Sequence, residues 1–155
     1  MRRILYVLFI AFLLLAISPG LLTRPGLASP VPQTQKGGGS EALVKEAKSR
    51  IQEITLEQFT ALKAADDKLT LIDVREDGEW QAGRVPGAIH ISRGVLEFQI
   101  DAKVPQKDSK IVLYCRSGSR SALAADTLQK MGYTRVYSLA GGFSGYQKAG
   151  LPTEK

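Results

Sequence analysis

Two apolar segments, at residues 69–74 and 111–114, constrain the fold of this chain more than any other feature of its sequence. Each is rich in Ile, Leu and Val, a pattern typical of a strand that is covered on both faces. Segments with helical character follow them, at residues 76–82 and 121–131. Strands that alternate with helices in this way predict an α/β fold with a mainly parallel sheet.

The other predicted elements continue this alternation. Short strands are expected at residues 51–54, 88–91 and 135–138, and helices at residues 55–65, 95–100 and 143–149. The helix at residues 55–65 has the most specific start signal, because Thr55 and Gln58 fit a capping box.

The N-terminal 28 residues differ in character from the rest of the chain. A basic pair, Arg2 and Arg3, precedes an unbroken apolar run over residues 4–17, which ends in a Ser-Pro-Gly stretch. Small residues then precede Ser29, as at a signal-peptidase site. The segment therefore predicts a signal peptide that is cleaved before Ser29, or an uncleaved membrane anchor. In either case we expect the remainder to be exported, to the periplasm.

Residues 29–50 are expected to link this segment to a folded domain that spans residues 51–155. The part up to Ser40 contains two prolines and three consecutive glycines, a composition typical of a flexible linker. Residues 41–50 are rich in Ala, Glu and Lys, and predict either a surface helix or a continuation of the linker.

The charge distribution gives no reason to expect a nucleic-acid partner. The chain has a formal net charge of +6, but residues 1–28 contain three arginines and no acidic residue, so the remainder carries +3. That remainder contains no run of Lys or Arg. Contact with a membrane is expected only through the N-terminal segment, if that segment is not cleaved.

A single cysteine and a single histidine exclude several kinds of site. With Cys115 alone, the chain can form neither an intramolecular disulfide framework nor a multi-cysteine zinc site. With His90 alone, it has no His-rich metal site and no Ser-His-Asp triad of the usual form.

The loop between the strand at 111–114 and the following helix carries the candidate chemistry. Its sequence is Cys115-Arg116-Ser117-Gly118-Ser119-Arg120. Backbone N–H groups of such a loop and of the first helical turn form an anion cradle, and glycine permits the sharp bend it needs. The helix N-terminus and the two arginines favour the thiolate form of Cys115. The alternative is a buried and inert structural cysteine, which would have no use for two nearby arginines.

The length of this loop separates two kinds of chemistry. Cysteine-dependent phosphatases resemble one another in a Cys-x5-Arg loop that encloses a phosphate, whereas this chain has Cys-x4-Arg, from Cys115 to Arg120. A shorter ring favours a smaller reacting centre. The spacing therefore favours sulfur chemistry over phosphatase or arsenate reductase chemistry.

Five separated segments resemble the single-domain rhodaneses, a family of thiosulfate sulfurtransferases, here of an exported bacterial type. The segments are residues 71–75 with Glu79 and Trp80, residues 83–91, residues 115–121, residues 132–133 and residues 139–143. The resemblance implies a three-layer domain in which a central, mainly parallel sheet of about five strands is flanked by helices.

The same resemblance implies the reaction. Cys115 would accept sulfane sulfur from thiosulfate as a persulfide and pass it to cyanide, a thiol or a protein acceptor. The backbone of residues 116–120 would hold the anion, and the side chains of Arg116 and Arg120 are candidates for binding its sulfonate. This cycle requires no metal ion or organic cofactor. The alternative for the whole domain is a non-enzymatic binding module.

Other residues are expected near this loop. Asp73 and Arg75 end a strand at the same sheet edge as Cys115, so we interpret Asp73 as a support that pairs with a loop arginine and Arg75 as a structural ion-pair partner. Arg84 and His90 stand where the family often has histidine and asparagine, and are interpreted as a solvated loop residue and a structural hydrogen-bonding residue. The Gly-Gly pair at residues 141–142 is expected to form a turn that borders the site.

Overall fold

The structure is a computed structural model that describes residues 39–66 and 68–155. The signal peptide or anchor predicted at residues 1–28, and residues 29–38 of the predicted linker, lie outside these residues. Within the described part, no helix is both long and apolar enough to cross a membrane. In the same part, no cluster of three or more His, Cys, Asp or Glu side chains could hold a metal ion.

Helices and strands alternate along the described chain, as the sequence predicts. The strands are β1 (Gln52–Ile54), β2 (Thr70–Asp73), β3 (Ile89–His90), β4 (Lys110–Tyr114) and β5 (Arg135–Leu139). The helices are α1 (Ser40–Lys48), α2 (Leu56–Ala65), α3 (Asp77–Ala82), α4 (Leu96–Lys103), α5 (Ser119–Lys130) and α6 (Gly142–Lys148), with a 3-10 turn over Arg93–Val95.

The five strands form one parallel sheet in the order β1-β5-β4-β2-β3. Alternate side chains of β4 enter two different cores. Ile111 and Leu113 pack with residues of α4 and α5, whereas Val112 and Tyr114 pack with residues of α2 and α6. Helices therefore cover both faces of the sheet, which confirms the predicted three-layer α/β fold and brings the carboxyl ends of all five strands to one edge.

Helix α1 belongs to the folded domain. It packs against α5, and the Ala47 side chain is completely buried there. Just beyond its end, Arg50 donates to both carboxylate oxygens of Asp126 on α5, over 2.8 and 3.1 Å. Helix α1 and the turn after it are thus docked on the domain. The folded domain therefore begins before residue 51, which is the start that the sequence predicted.

The pair of Arg50 and Asp126 makes this docking sensitive to acid. Arg50 and Lys130 donate hydrogen bonds to Asp126 and lower the pKa of its carboxyl group from 3.8 to about 2. Because the folded chain binds this proton less readily than the unfolded chain, the stabilisation is complete above about pH 4 and is lost toward about pH 2. We expect urea denaturation to show that wild type exceeds Asp126→Asn in its free energy of unfolding at neutral pH. The difference should shrink between about pH 4 and about pH 2, and a difference that persisted at the lower pH would contradict this assignment.

Candidate active site

The loop between β4 and α5 lies at the carboxyl edge of the sheet, where ligands of parallel α/β folds bind. Cys115 follows directly after β4, and Gly118 is the N-cap of α5. Gly118 has a φ of +104°, a backbone conformation that residues with a side chain rarely adopt. The strand therefore places the thiol, and the glycine turns the chain sharply into the helix around it.

The sulfur atom of Cys115 is held inside this loop. The residue is only 1% exposed, and one side of it packs in the core between the sheet and α5. Its Sγ accepts the N–H of Gly118 over 3.2 Å, and the hydroxyl of Ser121 lies 3.7 Å away. Two donors therefore face the sulfur, so its surroundings are polar on the loop side, as a sulfur that carries negative charge requires.

Several backbone N–H groups around the thiol have no internal acceptor. Within residues 39–66 and 68–155, no hydrogen bond to another protein group is made by the amides of Arg116, Ser117, Ser119 and Arg120. The first amides of a helix have no acceptor within the helix, and together with loop amides they bind anions. This set of free donors supports the predicted anion cradle.

The first turn of α6 fixes the orientation of the cradle. The N–H of Phe143 donates to the carbonyl of Cys115 over 2.8 Å, and the N–H of Ser144 donates to the carbonyl of Arg116 over 3.0 Å. In a trans peptide unit the C=O and the N–H point in opposite directions. The two bonds therefore turn the N–H groups of Arg116 and Ser117 away from α6, where a bound anion can accept them.

Gly142 allows α6 to approach the loop this closely. A Cβ atom on Gly142 would lie 2.4 Å from the carbonyl oxygen of Cys115 and 2.9 Å from the carbonyl group of Arg116. Its φ of +53° also favours glycine. The Gly-Gly turn thus does border the loop, as the sequence predicts, and it lets the N–H groups of Phe143 and Ser144 reach two of the loop carbonyls.

The two arginines of the loop have different surroundings. Arg120 donates to both carboxylate oxygens of Glu79 on α3, over 2.7 and 2.9 Å, and lies 3.5 Å from Glu76. This pairing raises the pKa of Arg120 and lowers that of Glu79. Arg116 is exposed and has no carboxylate partner within the described residues. Of the two predicted anion-binding side chains, Arg116 is therefore the one whose charge is not already shared.

Asp73 and Arg75 pair with each other, and both are buried. Nη2 of Arg75 donates to Asp73 over 2.6 Å and to the carbonyl of Gly83 over 2.7 Å, and the guanidinium lies 4.1 Å from the centre of the Phe143 ring. The expectation that Asp73 pairs with an arginine of the loop is therefore wrong. The pair instead packs against the first turn of α6, which in turn holds the loop.

Arg84 and His90 both contact the ring of Trp80. Arg84 lies 4.3 Å from the ring centre and is paired with Glu154, so it is not the solvated loop residue that the sequence predicted. The His90 ring stacks on Trp80 with centres 5.0 Å apart, and its Nε2 lies 2.8 Å from the carbonyl of Arg75. The contacts of His90 are those of a structural hydrogen-bonding residue.

Sequence reasoning missed two residues of the site. Glu79 belongs to one of the motifs quoted above, yet nothing in the sequence showed that it faces Arg120. Ser138 of β5 is fully buried and donates to Ser121 over 2.9 Å. The only signal for Ser138 in the sequence was its position between apolar residues at the end of a predicted strand.

Comparisons with known proteins identify relatives of this chain. A family model described as Rhodanese-like domain matches residues 55–149. A sulfurtransferase of Allochromatium vinosum is 33% identical, over 66% of this chain and 94% of that protein. The thiosulfate sulfurtransferase GlpE of Actinobacillus succinogenes is 36% identical, over 57% of this chain and 78% of that protein. The YrkF protein of Bacillus subtilis is 35% identical over 70% of this chain, which spans only 56% of YrkF.

Solved structures show the same fold. The structure of RPA3614 from Rhodopseudomonas palustris, described as a protein of unknown function and "Possible Tyrosine Phosphatase", is 39% identical with a TM-score of 0.70, over 80% of this chain and 99% of that one. The polysulfide-sulfur transferase of Wolinella succinogenes is 31% identical with a TM-score of 0.64, over 74% of this chain and 85% of that one. These likenesses agree with the three-layer fold and with the family that the five segments indicated.

Proposed function

Because this chain belongs to the rhodanese-like domain family, we propose that it is a sulfurtransferase in which Cys115 carries the sulfur as a persulfide. One observation carries the proposal: a lone thiol lies at the base of a loop whose amides are free to bind an anion. Relatives that are named sulfurtransferases support the same reaction.

We propose thiosulfate as the donor. The Cys115 thiolate attacks the outer sulfur of thiosulfate, a bond forms between Sγ and that sulfur, and the sulfur–sulfur bond of the donor breaks. Sulfite leaves with the electron pair of that bond, Sγ becomes neutral, and the outer sulfur of the persulfide keeps the negative charge that it carried in thiosulfate. Cyanide or a thiolate, free or on a protein, then attacks the outer sulfur, and the electron pair of the broken bond returns to Sγ.

The free amides of the loop would stabilise both charges that develop. Each donor that is already in position can contribute about 2.7–4 kcal/mol to the stability of a transition state. The amides of Arg116 and Ser117 are held in position by α6, so their orientation requires no rearrangement during the reaction. This backbone contribution explains how one thiol could suffice without a general base.

Intact-mass spectrometry after incubation with thiosulfate tests the proposal directly. The expected result is a gain of one sulfur atom, located on Cys115 by peptide mapping and removed again by cyanide. If the mass does not change with thiosulfate or with polysulfide, the domain is a binding module and the proposal is wrong.

A phosphatase is the competing enzyme, since RPA3614 is described as a candidate of that class. The Cys-x4-Arg spacing of the loop disfavours it. We therefore expect hydrolysis of an aryl phosphate to be slower than release of sulfite from thiosulfate at equal enzyme concentration. The reverse order of rates would favour the phosphatase.

Replacement of Arg116 by glutamine should weaken donor binding without stopping the reaction. Arg116 supplies an exposed charge that has no carboxylate partner in the described part of the chain, and an exposed charge pair contributes up to about 1 kcal/mol. We expect KM for thiosulfate to rise about fivefold while kcat changes less than about twofold. Steady-state kinetics measure both constants.

Lys103→Gln provides a control with the same loss of charge. Lys103 is exposed at the end of α4, just before the loop that leads to the start of β4, and thus at the opposite edge of the sheet. The KM of Lys103→Gln for thiosulfate should equal that of wild type. An equal rise in both variants would mean that general surface charge, and not Arg116, attracts the donor.

We also propose that the domain acts after export, on the basis of the signal-like residues 1–28. Cell fractionation followed by intact-mass measurement tests this. A mature protein that begins at Ser29 would support cleavage, and a full-length protein in the membrane fraction would support an anchor. Full-length protein in the cytoplasm would contradict export.

A further inference from the structure

Two serine hydroxyls form a buried row that ends at the sulfur of Cys115. Ser138 Oγ lies 2.9 Å from Ser121 Oγ, which lies 3.7 Å from Cys115 Sγ. Ser121 and Ser138 have no exposed surface. A buried hydroxyl costs free energy unless it is hydrogen-bonded, so an alanine would be the simpler residue at either position. We therefore look for the reason for these two buried hydroxyls in the sulfur atom at the end of the row.

The count of hydrogens gives this row a direction. Ser138 donates its hydroxyl hydrogen to Ser121 Oγ. Ser121 has one hydroxyl hydrogen but two acceptors, the carbonyl of Gly118 at 3.1 Å and Cys115 Sγ at 3.7 Å. When the sulfur is neutral, the nearer carbonyl is the better acceptor of the Ser121 hydrogen. When the sulfur is charged, it is a stronger acceptor than the neutral carbonyl.

We propose that Ser138 and Ser121 are positioning residues that act as a hydroxyl relay on Cys115. When Sγ carries negative charge, the Ser121 hydroxyl turns from the carbonyl of Gly118 to Sγ. Ser138 acts through Ser121, because a hydroxyl that accepts a hydrogen bond becomes a stronger donor. Only the Ser121 hydrogen moves, by rotation about its C–O bond, and no proton is transferred.

This role of the relay rests on the proposed reaction, in which Sγ loses its negative charge in the first half of the cycle and regains it in the second. Sγ is neutral in the persulfide, because its electron pair forms the bond to the outer sulfur, and the Ser121 hydroxyl can then return to the carbonyl of Gly118. When an acceptor takes the outer sulfur, the electron pair returns to Sγ and the hydroxyl donates to it again. The relay thus makes Cys115 a better leaving group in the second half of the cycle.

The relay is tested by the rate at which iodoacetamide alkylates Cys115 as a function of pH. Since Cys115 is the only cysteine of the chain, the reaction reports on one thiol. In Ser121→Ala, the thiolate fraction below the midpoint of the profile should fall about tenfold, because a hydrogen bond to a charged atom is lost. In Ser138→Ala the fall should be smaller, about threefold, and the double variant should match Ser121→Ala.

These variants leave the charged groups around the loop in place. Those groups are Arg116, Arg120, Glu76, Glu79, Asp73 and Arg75. Thr60→Ala, which removes an exposed hydroxyl on α2, should leave the profile unchanged. If Ser138→Ala does not fold, Ser138→Thr and Ser138→Val replace it in the test. Their side chains have nearly the same shape and differ in the hydroxyl, so only the valine variant should shift the profile.

Two results would overturn the relay. One is a Ser138→Ala or Ser138→Val profile that coincides with wild type. The other is a double variant that loses the full effect of both single variants, because Ser138 would then act independently of Ser121. Alkylation requires no sulfur donor, so a wild-type protein that takes up no sulfur would refute the proposed function and leave the relay standing.

Discussion

Replacement of Cys115 by serine or alanine is expected to reduce sulfur transfer to the rate of the uncatalysed reaction. The proposed cycle passes through a covalent bond between Cys115 and the transferred sulfur, and the chain has no other cysteine to replace it. A serine hydroxyl is not ionised at neutral pH and does not form a persulfide. Formation of thiocyanate from thiosulfate and cyanide measures the activity, and intact mass measures the bound sulfur.

The serine variant also controls for loss of the fold. Serine has nearly the size of cysteine, and its oxygen can accept the N–H of Gly118 that now contacts Sγ. Thermal unfolding of Cys115→Ser should therefore stay close to that of wild type. Thiocyanate formation above the background in a correctly folded Cys115→Ser protein would remove the thiol from the mechanism.

The sequence predicts the elements of this fold well where local signals and core packing agree. The start of α2 is an example, since Thr55 and Gln58 exchange hydrogen bonds over 3.2 and 2.9 Å as a capping box requires. The apolar pattern of β4 is another, because both of its faces are covered. The sequence places the end of α4 too early, at residue 100. Residues 101–103 are exposed, and only Val104, at the C-cap, continues the apolar spacing of Leu96 and Ile100.

The site is predictable only as far as it is local in sequence. The position of Cys115 follows from a strand that ends directly before it, and the glycine bend follows from the loop. The partner of Arg120 does not follow, because Glu79 lies on a separate helix and any nearby acid would satisfy the same arginine. Ser138 is hidden for the same reason: β5 brings it to the thiol only because β5 lies next to β4 in the sheet.

The Asp73–Arg75 pair shows how such long-range choices are decided. Asp73 is completely buried, and a charge at that position is tolerated only with a well-fitted partner. Arg75 follows it by two residues and places three of its nitrogen atoms within hydrogen-bond distance of the carboxylate. An arginine of the loop would have to leave solvent or Glu79 to do the same. Local geometry therefore selects Arg75.

Replacement of Gly142 by alanine should impair both the stability and the activity of the protein. The added Cβ would lie 2.4 Å from the carbonyl oxygen of Cys115, and the φ of +53° is unfavourable for alanine. The free energy of unfolding should fall by at least about 2 kcal/mol, which urea denaturation measures. To relieve the contact, the cradle must move away from α6 by roughly 1 Å, and a shift of that size can cost about 100-fold in rate. Thiocyanate formation, corrected for the folded fraction, reports that loss.

Gly145→Ala is the matched control, because it lies in the same helix but has room for the substitution. Its Cβ would meet no atom closer than the Ala140 carbonyl oxygen at 4.0 Å, and alanine favours the helix more than glycine does. This variant should be as stable as wild type, or slightly more stable, and fully active. If Gly142→Ala loses stability but keeps the wild-type rate per folded molecule, α6 is a structural neighbour of the loop and does not orient its amides. If it loses activity without losing stability, the strain is relieved within the cradle itself, which is the outcome that ties Gly142 most directly to anion binding.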